Sequence, residues 1–319
     1  MYTEEQARQL VIEAGLKLVK DGLVARTWGN VSARCGENEM IITPSGIAYD
    51  ILKPSDLVKV NIVDLSYDSN IKPSSEKGIH AAVYRMRKDI EFVIHTHQTY
   101  ASAVAADERD LPYAPCAAYG LPGTDRLKRH VIIALEDHPD HKKFLLAKHG
   151  ALLLGENMEE AFNMAEQLEN DCMEEFASRI PSMDEDNWKQ INVEKYQTKR
   201  NPYVKLVRDK FVGECCRAGV TVKPYLDDFA QMVGPDMSVI EYNHAAVRAE
   251  LLLRNAILVK GIGAICVGKT EDDCEAAASI VIKNCAAACY VRKAPPLKKL
   301  DAFTQRMVYL TKYSKKKNG

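Results

Sequence analysis

The sequence predicts an α/β chain, and three observations carry that prediction. Apolar residues recur at three- and four-residue spacing in several segments, whereas others are short apolar runs of strand length. A unit of strand, glycine, strand, glycine and acidic helix start then occurs twice. Position 149 is echoed at 262 and position 155 at 268, a constant offset of 113 residues.

The elements follow in chain order. Thr3-Glu4-Glu5-Gln6 reads as a capping box that opens a helix through about Val19. Two turn-like stretches, Arg26-Thr27-Trp28-Gly29-Asn30-Val31-Ser32 and Thr43-Pro44-Ser45-Gly46, flank the apolar run Met40-Ile41-Ile42. Small hydroxyl and amide side chains beside glycines let backbone N–H groups approach an oxyanion, although plain turns have the same composition. Pro73-Ser74-Ser75-Glu76 opens a second helix, marked by Ile79, Ala82, Val83, Met86 and Ile90, with Ser75 as its expected N-cap. The hydroxyls of Ser74 and Ser75 and the free N–H groups of that first turn form a place for a phosphate. Glu76 lies on the same turn, where a carboxylate also serves simply to complement the helix dipole.

Three histidines follow in two apolar contexts. His95-Thr96-His97 ends the run Phe92-Val93-Ile94, and His149 ends Phe144-Leu145-Leu146-Ala147. Period-two geometry puts His95 and His97 on one face of a strand, and a neighbouring strand end can bring His149 to them. Three imidazoles with an open fourth position suit zinc. Alone, a His-x-His pair fits strand capping as well as metal binding.

Composition narrows the classes. The 319 residues, 46% hydrophobic, suffice for one large or two small domains, and a formal charge of -1 argues against a general nucleic-acid surface. No signal peptide is apparent and no apolar run is long enough to span a bilayer, so a cytoplasmic location without membrane or nucleic-acid partners is expected. Nine cysteines in apolar contexts fit a reducing compartment better than a disulfide framework. Lys77 and Lys148 flank the candidate site residues and read as solvated amines.

Over residues 5–178, the ordered set Thr-x-Gly-Asn-x-Ser, Thr-Pro-Ser-Gly, Ser-Ser-Glu with a histidine four residues on, His-x-His and Lys-His-Gly resembles the class II aldolase/adducin family. Its members include L-fuculose-phosphate aldolase and L-ribulose-5-phosphate 4-epimerase. The resemblance implies a three-layer α/β/α fold with a central, mostly antiparallel sheet. It implies one Zn2+ per chain on His95, His97 and His149, with Glu76 as the acid/base residue. It places the substrate phosphate at Thr27, Asn30, Gly46, Ser74 and Ser75. The implied activity is that of a lyase cleaving a small ketose phosphate by retro-aldol chemistry through a metal-stabilised enediolate. Epimerases, dehydratases and decarboxylases use the same platform, and the adducin branch is a non-catalytic interaction module lacking the metal ligands. The implied partners are a small phosphorylated sugar and further copies of the chain in a homo-oligomer such as a tetramer. One departure stands out: Cys116 falls where the family aldolases place a catalytic tyrosine, which shifts that role to Tyr113 or Tyr119.

The domain expectation is a zinc domain over 1–178, a polar connector over 179–202, a C-terminal α/β domain over 203–308 and a basic tail over 309–319. The C-terminal domain reads as a partial, degenerate repeat that binds no metal, because Ile262 stands where His149 stood. Within it, Tyr225 to Gly234 reads as a packing or oligomer contact, with a plain turn into a strand, or acids and a tyrosine reaching a neighbouring site, as the alternatives. The run Lys315-Lys316-Lys317 reads as a solvated end.

Overall fold

The computed structural model describes residues 1–180, 183 and 187–313; Pro181 and the Lys315-Lys316-Lys317 run lie outside the described residues. Two compact units divide the chain, Met1–Met173 and Glu174–Gly319.

The first unit opens with helix α1 (Glu4–Lys20), whose capping box is formed by Thr3 and Gln6, each side chain bonding the other's backbone N–H. There follow β1 (Asn30–Arg34), β2 (Glu39–Ile42), β3 (Val58–Asn61), α2 (Lys77–Met86), β4 (Phe92–Thr96), α3 (Thr99–Ala105), β5 (Cys116–Ala117), α4 (Asp125–Asp137), β6 (Lys143–Leu146), β7 (Gly150–Gly155) and α5 (Met158–Arg179), whose residues from Glu174 on fall in the second unit. The seven strands run in the order β3-β2-β1-β4-β7-β6-β5. Every neighbouring pair is antiparallel except β5 with β6.

Strands β1, β4 and β7 are buried along their whole length, which requires cover on both sheet faces. On one face, Ile79, Val83 and Tyr84 of α2 and Leu127 and Val131 of α4 pack on Val93, Phe144, Leu152 and Leu154. Helix α1 packs on β1 and β2, and α3 on β6 and β7, completing three layers around a mostly antiparallel sheet. Helix α2 is shorter than the apolar spacing predicts. Arg87 takes extended backbone, so the helix ends at Met86 and Ile90 enters the core from the following loop.

The second unit contains β8 (Tyr203–Val207), α6 (Lys210–Ala218), α7 (Asp227–Met232), β9 (Val239–Ile240), α8 (His244–Leu253), β10 (Ala256–Val259), β11 (Gly263–Gly268), α9 (Glu271–Tyr290) and α10 (Lys299–Val308). Its four strands run β8-β11-β10-β9, with β9 and β10 parallel. The stretch expected to be a connector packs into this unit, because Ile191, Val193 and Tyr196 have a core to join. Tyr225 to Gly234 forms α7 rather than a turn into a strand. The Asn284 side chain accepts from the Tyr225 and Leu226 N–H groups, and buried Asp228 pairs with Lys283.

Element bounds recur between the two units. Strands β6 and β7 and the start of α5 return 113 residues later as β10, β11 and the start of α9 (143 to 256, 150 to 263, 158 to 271). Strand β4 pairs with β7 from Phe92 opposite Gly155, and β8 pairs with β11 from Tyr203 opposite Gly268. In that register Leu206 corresponds to His95, because they oppose Ile265 and Leu152.

Candidate metal centre

Pairing across the sheet decides which side chains meet. Asn30 lies opposite His95 and Ser32 opposite Val93, so alternation puts Asn30, Ser32, Val93 and His95 on the face that α2 covers. His149 sits in the turn between β6 and β7, beside the end of β4. The turn is held by Lys148, which takes a left-handed conformation at φ 58°. That costs a non-glycine residue about 1–2 kcal/mol. Lys148 is not the solvated amine its sequence context suggests; its ammonium is buried 3.1 Å from Glu108.

The three histidines converge. His95, His97 and His149 are all buried, and their ligand atoms lie within 4.8 Å of one another. His95 Nδ1–H donates to the Ala151 carbonyl at 2.8 Å, which turns Nε2 toward the cluster. That nitrogen faces Glu76 Oε2 at 3.5 Å, and His149 Nε2 lies 3.1 Å from Glu76 Oε1. A carboxylate this close to two ring nitrogens requires a cation, whether ring proton or metal, between them. The donor set therefore fits a metal. Burial pushes the Glu76 carboxyl up, but His95 and His149 and the hydrogen bonds from His149 and Asn30 outweigh it, holding the group well below the usual carboxylate range.

Glu76 reaches the cluster through a turn that differs from the expected cap. Ser74 Oγ accepts from the Glu76 N–H at 3.2 Å and the Lys77 N–H bonds the Ser74 carbonyl, so a tight turn occupies residues 74–77. Glu76, not Ser75, therefore holds the N-cap position, and its side chain turns inward. Backbone bonds from Ser74 N–H to the Thr43 carbonyl and from Ser45 N–H to the Lys72 carbonyl bind this turn to the one containing Gly46. Thr27 lies in the half-buried turn before β1. A Cβ at Gly29 would stand 2.6 Å from the His95 carbonyl, so glycine allows that turn to close on the end of β4.

Beside the turn lies a cavity of about 130 Å³ lined by Ser75, Glu76, Gly123, Thr124 and Lys128 among others. At Gly123, φ is 72° and a Cβ would meet Ser75 Cβ at 2.9 Å, so only glycine permits this approach. Lys128 and Gly123 were not singled out from the sequence; a glycine and a lysine flanking the N-cap Thr124 of α4 are the local signal for them. Asn30 is placed differently from a simple phosphate ligand: its Nδ2 donates to Glu76 Oε2 at 2.9 Å. Tyr113 donates its hydroxyl to the Asp171 carbonyl on α5 at 3.1 Å. Tyr119 is half-buried in the loop after β5.

The chain is 33% identical over 177 residues to 5-deoxy-D-ribulose 1-phosphate aldolase of Bacillus thuringiensis serovar kurstaki, covering 52% of this chain and 82% of that protein. A shorter match, 37% over 107 residues, covers 33% of this chain and 44% of a probable L-ribulose-5-phosphate 4-epimerase of Mycoplasma pneumoniae. Among solved structures, an L-fuculose 1-phosphate aldolase aligns at TM-score 0.50 with 33% identity, over 55% of this chain and 87% of that one. The family model described as Class II Aldolase and Adducin N-terminal domain matches residues 9–175. With the fold and the buried three-histidine group, that match shows that the chain belongs to the class II aldolase/adducin family.

Proposed function

We propose that this chain is a zinc-dependent lyase that cleaves a small ketose phosphate by retro-aldol chemistry, with one ion per chain on His95, His97 and His149. The observation that carries the reading is the Glu76 carboxylate set against the imidazoles of a buried three-histidine cluster. Three neutral imidazoles suit zinc. When bound, the ion supplies positive charge where negative charge develops as the carbon–carbon bond breaks.

The chain's own residues do the rest. Glu76 moves the proton to and from the reacting carbon or oxygen, and its burial keeps water from competing. Thr27, Asn30, Gly46, Ser74 and Ser75 hold the substrate phosphate, a reading supported by the linked turns at 43–46 and 73–75 and by the cavity beside Ser75. Lys128 adds a cation to that cavity, and the N-terminus of α2 faces it. Anchoring the phosphate holds the reacting carbons in register with the carboxylate. Tyr113 or Tyr119 takes the role of the catalytic tyrosine, and substitution of each by phenylalanine distinguishes them. A homo-oligomer, a tetramer by family resemblance, is the expected assembly. No described helix is long and apolar enough to cross a membrane.

The test combines metal analysis with a two-way substrate screen. Ketose 1-phosphates are followed for cleavage, and dihydroxyacetone phosphate with short aldehydes for synthesis. About one zinc per chain is expected, with an aldehyde and a triose phosphate as products. At saturating metal, Glu76→Gln should lower kcat by roughly 10²–10⁴-fold. Less than about half an equivalent of zinc, with no gain on adding metal, would contradict the reading. Interconversion of sugar phosphates without carbon–carbon cleavage would move the chain to the epimerase chemistry of its family.

A further inference from the structure

One buried histidine lies outside the metal cluster and the roles given above. His80 on α2 has no exposed surface, and its two ring nitrogens meet Ser32 Oγ, at 2.6 Å, and Asn30 Oδ1. Asn30 in turn donates to Glu76 Oε2, and the Tyr84 hydroxyl lies 2.8 Å from Ser32 Oγ and 3.0 Å from the Ser32 carbonyl. Residues 76, 80 and 84 succeed one another at four-residue spacing along α2, and residues 30 and 32 alternate onto the facing side of β1. The result is a polar ladder through an otherwise apolar layer, ending on the carboxylate.

Each hydrogen in this ladder has one consistent direction. An ionised carboxylate only accepts, so Asn30 must present its NH₂ to Glu76 and its oxygen to His80. His80 therefore carries its hydrogen on Nε2, and its bare Nδ1 accepts from the Ser32 hydroxyl. The Ser32 proton is thereby committed, so Tyr84 donates toward Ser32. If the Asn30 amide rotated by half a turn, its oxygen would confront Glu76 Oε2 at the present 2.9 Å separation. His80 is the group that opposes this rotation, because only a donor on its Nε2 matches the correct amide orientation.

We propose that His80 is a positioning residue that acts through Asn30 to aim the Glu76 carboxylate at the histidine cluster. The inference rests on the reading of Glu76 as the acid/base group, but its first readout does not depend on turnover. Glu76 lies against two of the three imidazoles, so misdirecting it changes metal affinity as well as rate.

The test uses the full chain and three variants. His80→Gln keeps a donor where Nε2 was, His80→Leu removes it, and Ser32→Ala removes only the outer donor. Affinity is measured with cobalt(II) by its visible absorption and with zinc by competition against a chromophoric chelator. His80→Leu should weaken metal binding about 10-fold or more and lower kcat by a similar factor. His80→Gln should restore both to within about threefold of wild type, and Ser32→Ala should lie between. In a Glu76→Gln background, His80→Leu should have little further effect, since the carboxylate it aims is gone.

Equal metal affinity in wild type and His80→Leu would overturn the proposal. So would a folded His80→Gln variant as impaired as His80→Leu, or additive losses in the double variant. Should His80→Leu not fold, Ser32→Ala and His80→Gln decide the matter by their order. If metal affinity follows the expected order while no ketose phosphate is cleaved, the positioning role stands and the aldolase reading falls.

Discussion

The β4-to-α5 stretch of the first unit and the β8-to-α9 stretch of the second show what the fold demands and what the chemistry demands. In both, a glycine opens the last strand because a side chain would strike the neighbouring strand. A Cβ at Gly150 would lie 2.2 Å from the Thr96 carbonyl, and one at Gly263 would lie 2.4 Å from the Val207 carbonyl. In both, the glycine closing that strand admits the following helix: Gly155 against the Ala161 N–H, Gly268 against the Cys274 N–H. The left-handed turn residue is Lys148 in one and Gly261 in the other. These positions serve the backbone, and they recur at the 113-residue offset.

The ligands do not recur. His95, His97 and His149 correspond to Leu206, Arg208 and Ile262, and the Arg208 guanidinium donates to the Ile262 carbonyl at 3.2 Å and to the Lys189 carbonyl at 2.7 Å. Among the described residues, metal-capable donors converge only in the first unit. The backbone correspondence thus holds where the three histidines are replaced. It also teaches that this strand unit folds without histidines, so their presence in the first unit calls for a chemical reason.

The comparison breaks most sharply if the first unit can be made to resemble the second. His149→Ile copies the residue found at 262, and should cost more than about 100-fold in zinc affinity and about 10³-fold or more in turnover. Its metal-free form should still fold but melt below metal-free wild type, because the buried Glu76 carboxylate loses its 3.1 Å hydrogen bond from His149. Metal analysis and thermal melts check both halves; a variant that keeps zinc has another third ligand.

The shared glycines give the next effect. Gly150→Ala and Gly263→Ala should each destabilise by roughly 2–4 kcal/mol, since each Cβ meets backbone that cannot yield. Gly263→Ala carries a further penalty from φ 121°. Denaturant unfolding measures the loss, and metal titration separates the two: only Gly150→Ala should disturb zinc binding, because its Cβ also approaches the His95 ring at 3.2 Å.

A smaller effect concerns acid. Burial holds the His80 pKa down to about 3, with Glu76 raising and His95 lowering it, whereas the unfolded chain titrates near the ordinary 6.5. Below about pH 6.5 the unfolded state takes a proton that the native state refuses, so this contribution is intact above that pH and is lost as pH falls toward 3. The slope is about 1.4 kcal/mol per pH unit, or about 2 kcal/mol between pH 6.5 and 5. His80→Gln should remove that slope in stability measured across the same range, and an unchanged slope would assign the acid sensitivity to other groups.

Much of this was legible in residue order because period-two and four-residue spacings fix which side chains share a face. The capping box at Thr3, the apolar runs leading to His95 and His149, and the paired glycines are of that kind. Local competition hid the rest. Ser75 has the chemistry of an N-cap, but Ser74 forms a turn first and passes the position to Glu76. Lys148 reads as solvated until Glu108 is brought against it across α3 and β6. The His80 ladder left a signal: polar Asn30 and Ser32 alternate in a strand, and Glu76, His80 and Tyr84 recur at four-residue spacing. Joining the two sets requires knowing that α2 lies over β1.

The most direct test of the central claim is the crystal structure of the wild-type chain grown with zinc, with anomalous data collected across the zinc edge. One strong anomalous peak per chain is expected among His95, His97 and His149, and none beside Leu206, Arg208 and Ile262. Zinc absent from the three histidines, or present at the corresponding place in the second unit, would contradict the account.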